Sequence, residues 1–235
     1  MSWRTSPAVL LLRNLGRAVG LTRLLGSLLA RQGYEDRFQA AMIGAVCEGD
    51  VVWDVGANVG LYSRKFSDSV GPSGKVFAFE PSPANLRRLN DAVASLGNVI
   101  VVPMALGARE DTVAFEQGND PLGATSRVVD AAGQKTEGQV EIQLYTGDKL
   151  VSCGMVATPN IIKIDTEGFE LDVLLGLRET LQRKGLRLLC IEVRFGLLEE
   201  RGLRNAPSDI EKLLVSSGFA PSWADASHIV ASRIN

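Results

Sequence analysis

A strand that ends on a glycine turn and passes straight into a helix constrains this chain more than any other feature. Val51, Val52, Trp53 and Val55 make a short apolar run broken only by Asp54. Such a run, rich in β-branched residues, fits a central parallel strand covered on both faces. Gly56-Ala57-Asn58-Val59-Gly60 follows, and Leu61-Tyr62-Ser63 opens a helix. Glycine allows the chain to swing sharply and a ligand to approach the backbone. The helix directs its N–H groups and positive dipole end at whatever binds there.

The residues in the turn narrow the ligand. A dinucleotide-binding turn wants glycine at the position that Asn58 occupies, to make room for a pyrophosphate. Asp54 adds a carboxylate that repels phosphate and suits a cation, whereas the helix end suits a carboxylate. S-adenosylmethionine carries an ammonium, a sulfonium and a carboxylate, and answers both demands. The second strand, residues 75–79, closes on Glu80 and is stopped by Pro81. An acid at that tip, about 20 residues beyond the turn, is placed to accept the ribose hydroxyls. Asp54, Gly56, Asn58, Gly60, Ser63, Glu80 and Pro81 are therefore the expected cofactor contacts.

Composition sets the outer limits. A chain of 235 residues with 46% hydrophobic and 22% charged residues can bury one sizeable core. A net charge of −2 gives no electrostatic case for nucleic acid. The 3 cysteines, Cys47, Cys153 and Cys190, form no C-x-x-C pair and suggest neither a disulfide framework nor a zinc site; a cytoplasmic location fits them. Residues 8–30 are rich in leucine and arginine, yet the apolar run is too short to span a membrane and lacks a signal-peptide core. They read as short helices packing as a lid or between two copies of the chain, with an interfacial membrane helix as the alternative. The expected division is a helical extension over residues 1–48 and a main domain over 49–235.

Further strands and helices alternate along the chain. Helical spacing covers residues 34–46. Ser82 caps a helix that has Pro83 at its first position. Residues 99–102 form a third buried strand, and Ala105 and Leu106 just beyond it are expected to wall an adenine pocket. Residues 112–115 and 140–145 alternate like strands around a polar, glycine-rich excursion that reads as a substrate loop, with plain surface disorder as the alternative. Residues 161–164 are a fourth strand of the core, and Lys163 within it needs a partner at the strand's end. Asp165 and Glu167 follow, with Glu170 read as a helix N-terminal acid. Residues 186–193 make a fifth strand ending near Glu192, and a hairpin over residues 219–231 closes the chain. His228, the single histidine, reads as structural, and no G-x-S-x-G accompanies it.

Asp54 to Gly60, Phe79-Glu80-Pro81, Ala105-Leu106-Gly107 and the run from Ile162 to Glu170 resemble, in this order, the FkbM-type methyltransferases. Lys163-Ile164-Asp165-Thr166-Glu167-Gly168 is the specific part. The resemblance implies an α/β class I (Rossmann-like) fold, a mostly parallel seven-stranded sheet flanked by helices. It implies methyl transfer from S-adenosylmethionine to a hydroxyl, commonly on a sugar or natural product, and a helix at residues 34–46 that closes over the cofactor. Asp148 stands near a Leu-Asp pair of that family, but Thr146-Gly147 departs from the pattern. Asp165 or Glu167 is the expected base toward the acceptor, with Lys163 holding that carboxylate or, with its pKa lowered by burial, acting itself. Asp165 also borders the cofactor. No metal site is expected; a divalent ion between Asp165 and Glu192 is the alternative. A nucleotide-dependent oxidoreductase and a non-catalytic, membrane-associated binding partner are the competing readings.

Overall fold

The structure, a computed structural model, describes residues 34–116, 127–129 and 139–234. The expected N-terminal lid over residues 8–30, and most of the expected substrate loop, lie outside the described residues.

Among the described residues, helix α1 (Tyr34–Gly44) precedes β1 (Val51–Val55), α2 (Leu61–Val70), β2 (Lys75–Phe79), α3 (Pro83–Val93) and β3 (Val99–Val102). Then come β4 (Ala105–Leu106), β5 (Asp111–Glu116), β6 (Arg127–Val129), β7 (Gln139–Tyr145), α4 (Gly147–Ser152), β8 (Ile161–Ile164) and α5 (Glu170–Leu175). A 3-10 turn (Thr180–Gln182), β9 (Leu188–Glu192), α6 (Phe195–Glu200), α7 (Ala206–Ser216), β10 (Phe219–Trp223) and β11 (His228–Arg233) complete it.

The main sheet has 7 strands in the order β10-β11-β9-β8-β1-β2-β3. All of its neighbours pair in parallel except β11, which runs antiparallel to both β9 and β10. This is the class I methyltransferase arrangement expected from the sequence. The strand order reverses direction between β1 and β8, so the turns after these strands face a crevice at the sheet's C-terminal edge.

The pleat sorts side chains to two faces. Val52, Val76, Ile161 and Cys190 pack with Phe38 and Met42 of α1 and with Phe66 and Val70 of α2. Trp53, Val55, Ile162, Ile164 and Ile191 pack on the other face with Val173, Leu174, Leu177, Ile210 and Leu214. Burial pushes the Cys190 thiol up to about 12, consistent with an inert core cysteine.

Strands were expected at residues 112–115 and 140–145, but not their arrangement as a second sheet. That sheet has the order β4-β7-β5-β6, with Ala105, Val113, Ile142 and Leu144 as its small core. The excursion also forms strand β6, paired to β5. Helix α5 is short, since Gly176 stands at its C-cap and the chain continues to the 3-10 turn. Helix α1 packs against β11 and α2.

Candidate active site

The β1 turn is held from three directions. Asp54 and Lys163 are direct partners in the β1–β8 register and lie on one face of the sheet. Lys163 Nζ is 3.0 Å from Asp54 Oδ1 and donates to the Gly56 carbonyl at 2.8 Å. Ser63 Oγ, from the first turn of α2, donates to Asp54 Oδ2 at 2.7 Å. Asp54 and Ser63 are fully buried. Asp54 and Ser63 thus meet an internal cation and each other. The pKa expected to be lowered at Lys163 is instead raised: burial alone would push its ammonium down, but the Asp54 and Asp165 carboxylates more than offset this and hold it above the ordinary value.

The glycines serve close packing. At Gly56 (φ +79°) an added Cβ would stand 1.9 Å from the Asp165 carbonyl oxygen, so the two turns touch backbone to backbone only because residue 56 has no side chain. The amides of Gly56 and Ala57 donate to the Phe79 carbonyl, and that of Gly60 donates to the Ala57 carbonyl. An anion at this end therefore meets the start of α2 rather than a cradle of loop amides.

Glu80 is where the sequence places it, at the tip of β2, and only 4% exposed. Its Oε2 accepts the Asn58 amide at 2.9 Å and its Oε1 the Ser82 amide at 2.8 Å. Burial pushes this carboxyl up to about 7, against the pull of those two backbone bonds. Each carboxylate oxygen keeps further acceptor capacity. Asn58 is in the left-handed region (φ +52°), and its Oδ1 is buried without a protein partner, as is Thr166 Oγ1 on the facing turn. Unpartnered polar atoms on the turns after β1 and β8 leave room for a polar partner such as the expected cofactor. Ala105 and Leu106 are buried as β4 against β7; Pro103 and Met104, between β3 and β4, are the more open residues.

The tips of β8 and β9 carry a second cluster, organised by a residue the sequence reading missed. Arg194 places NH2 2.9 Å from Glu167 Oε1 and 3.3 Å from Asp165 Oδ1, and NH1 2.9 Å from Glu192 Oε1. Three acids at neighbouring strand tips required a cation, and Arg194, two residues beyond Glu192, was the available signal. Glu167 is held in the left-handed region (φ +50°), a strained state for a long side chain that is common at functional sites. Burial, with the Glu192 charge, raises the Asp165 carboxyl above its ordinary value despite Lys163 at 3.9 Å and Arg194. A raised carboxyl that is still 26% exposed can take a proton.

Glu170 is fully buried, and its Oε1 accepts the Gly168 amide at 2.8 Å. It stands in the first turn of α5, as expected, and burial pushes its carboxyl up to about 8. Asp148 accepts the Glu179 and Thr180 amides and the Thr180 hydroxyl, which anchors the 3-10 turn and gives it a structural role. No cluster of three or more metal-ligating side chains occurs among the described residues, and none of their helices is long and apolar enough to cross a membrane.

Residues 54–221 match the model of the methyltransferase FkbM domain. The hexuronic acid methyltransferase AglP of Haloferax volcanii is 34% identical over 168 residues, which are 71% of this chain and 62% of that protein. The 2-O-methyltransferase NoeI of Sinorhizobium fredii is 23% identical over 145 residues, 57% of this chain and 59% of that protein. The chain thus spans less than two thirds of the length of either relative. The crystal structure of an FkbM methyltransferase from Methylobacillus flagellatus has a similar fold, with a TM-score of 0.53 at 15% identity over 93% of this chain and 60% of that one.

Proposed function

The chain belongs to the FkbM methyltransferase family, and on that premise we propose that it transfers a methyl group from S-adenosylmethionine to a hydroxyl of a sugar or natural-product acceptor. The observation that carries this reading is Glu80, a buried carboxylate fixed by the Asn58 and Ser82 amides beside the β1 turn. Its remaining acceptor sites suit the paired hydroxyls of a ribose. Asn58 Oδ1 suits the cofactor's ammonium, the start of α2 its carboxylate, and Pro103 and Met104 its adenine. The family match sets aside the oxidoreductase alternative.

When bound, S-adenosylmethionine would supply an electrophilic methyl group carried on a sulfonium. The protein's own residues position the acceptor and remove its proton. Asp165 is assigned as the base, with Glu167 lining the acceptor side; Lys163 acts from beneath by fixing Asp54 and the turn. Positioning of this kind is worth roughly 7–11 kcal/mol in the best cases. A sugar acceptor is supported by the name of AglP, a hexuronic acid methyltransferase, and transfer to an oxygen by that of NoeI, a 2-O-methyltransferase. The exposed, free Cys47 and Cys153 suit a cytoplasmic setting.

Calorimetry with S-adenosylmethionine and with NAD tests the cofactor. S-adenosylmethionine should bind, and Glu80→Ala should weaken it by ~1.5–3 kcal/mol. Binding of NAD alone overturns the reading. Transfer of labelled methyl to a panel of neutral sugars and hexuronic acids then identifies the acceptor; cofactor binding with no transfer to any of them would favour a non-catalytic partner protein.

A further inference from the structure

We propose that His228 is a positioning residue for methyl transfer, acting through Glu192 and Arg194 to hold the Asp165 carboxylate in place. This rests on the methyltransferase reading above. The observation behind it is an unbroken line of alternating charges across three strand ends. Asp225 Oδ2 lies 2.7 Å from His228 Nδ1, and His228 Nε2 lies 3.5 Å from Glu192 Oε2. The other oxygen of Glu192 is 2.9 Å from Arg194, whose NH2 reaches Glu167 and Asp165.

Each link has a structural cause. His228 and Glu192 are register partners in the β9–β11 pairing, so their side chains project from the same face. Asp225 is tied to its turn by the amides of Ser227 and His228, at 2.7 and 2.9 Å, which aims its second oxygen at the ring. Ser227 Oγ stands 3.4 Å from Nδ1. Phe38 of α1 also lies beside the ring, with centroids 4.2 Å apart. The groups facing His228 among the described residues thus include Asp225 and Ser227 from its own turn, Glu192 from β9 and an aromatic ring from α1.

The arrangement solves a charge problem. Arg194, with Lys163 already paired to Asp54 and 3.9 Å from Asp165, leaves three carboxylates short of balance. His228 balances Glu192 from the far side, so Glu192 stays ionised and keeps NH1 occupied. NH2 is then left for Glu167 and Asp165. Without the imidazolium, Glu192 gains a proton or turns outward, Arg194 follows, and Asp165 loses its fixed direction.

The chain contains a single histidine, so its imidazole gives one set of resonances in the intact protein. We expect that signal to titrate near pH 9. The midpoint should fall in Glu192→Gln and in Asp165→Asn, and rise in Arg194→Met, because each change alters the charge next along the line. In turnover with the acceptor found above, His228→Gln should lower kcat about tenfold while KM for S-adenosylmethionine stays within about twofold. His228→Lys, which restores a cation, should recover part of the loss. A midpoint unmoved by Arg194→Met and Asp165→Asn, or an unchanged kcat in a folded His228→Gln protein, overturns the proposal. Failure of the wild type to transfer methyl overturns the methyltransferase reading first, and the relay's catalytic role with it; active wild type with an insensitive histidine overturns the relay alone.

Discussion

The two ends of the crevice hold their carboxylates in different ways. Around β1 and β2, Asp54 and Glu80 are bound by buried, short-reach partners: a lysine in register, a hydroxyl one helical turn on, and two backbone amides. Around β8 and β9, Asp165, Glu167 and Glu192 share one arginine that is 34% exposed. Backbone amides and a fully buried ion pair have one arrangement. An arginine fork among three acids has several of similar energy. The first construction suits a cofactor of constant shape, and the second an acceptor that must enter, lose a proton and leave. The Lys163–Asp54 pair joins the two ends, since Lys163 belongs to β8 and its partner to β1.

The largest expected effect breaks that joint. Asp54→Ala leaves Lys163 buried without its main counter-charge and should cost about 3–5 kcal/mol in denaturant unfolding. Asp54→Ala combined with Lys163→Met should cost less than the two single changes together, because no charge is then stranded. An additive double variant would mean that the pair is screened and that the first end is no more rigid than the second.

Next in size is the acceptor end. Asp165→Asn should cut turnover by about 10²–10⁴-fold, the usual weight of a general base, while calorimetric affinity for S-adenosylmethionine stays the same. Weakened cofactor binding with normal turnover would exchange the roles assigned to the two ends.

Smaller again is a pH effect on cofactor affinity. Burial holds the free Glu80 carboxyl near 7, and the ribose hydroxyls must donate to its ionised form. Affinity should be level above pH 7 and fall by up to about tenfold per unit below it. Glu80→Gln should bind weakly with no such slope, and a wild-type slope that survives this substitution assigns the titration to another group.

The sequence made the first end easier to read than the second. Asp54, Gly56, Asn58 and Glu80 fall within one strand-turn-helix-strand unit, where spacing along the chain stands in for distance in space. Spacing placed Asn58 and Glu80 side by side, but nothing in the pattern shows that Asp54 turns inward to Lys163, because register across β1 and β8 joins segments more than 100 residues apart. Arg194 was overlooked because it looks like any cation after a strand until the neighbouring tips are placed beside it. The second sheet was missed for a similar reason. Its strands alternate correctly, but the pairing of Asp111 with Leu144 spans an excursion with little local signal. The alternative of a divalent ion between Asp165 and Glu192 loses its appeal for a related cause: Arg194 bridges the two acids the ion would have joined.

The smallest expected effect separates the two ends by stability alone, without any ligand. Glu80 titrates near 7 in the fold against an ordinary 4.5, so the folded chain retains a proton that the unfolded chain has released. Its influence on stability is therefore unfavourable as pH rises from about 4.5 to 7, and level beyond. Glu170, pushed to about 8, acts in the same direction over a slightly wider range. His228 stands at about 9 against 6.5, because its two carboxylate partners outweigh burial. Its contribution is complete below pH 6.5 and is lost as pH rises through 9. Thermal melts of the wild type should accordingly decline from about pH 5 to pH 9. Glu80→Gln should flatten the part below 7 and leave the alkaline part, while His228→Gln should do the reverse, with Glu170 leaving a shared slope in both. Should both substitutions flatten the same part of the curve, the groups titrate as one network, and the contrast between a fixed cofactor end and an adjustable acceptor end fails.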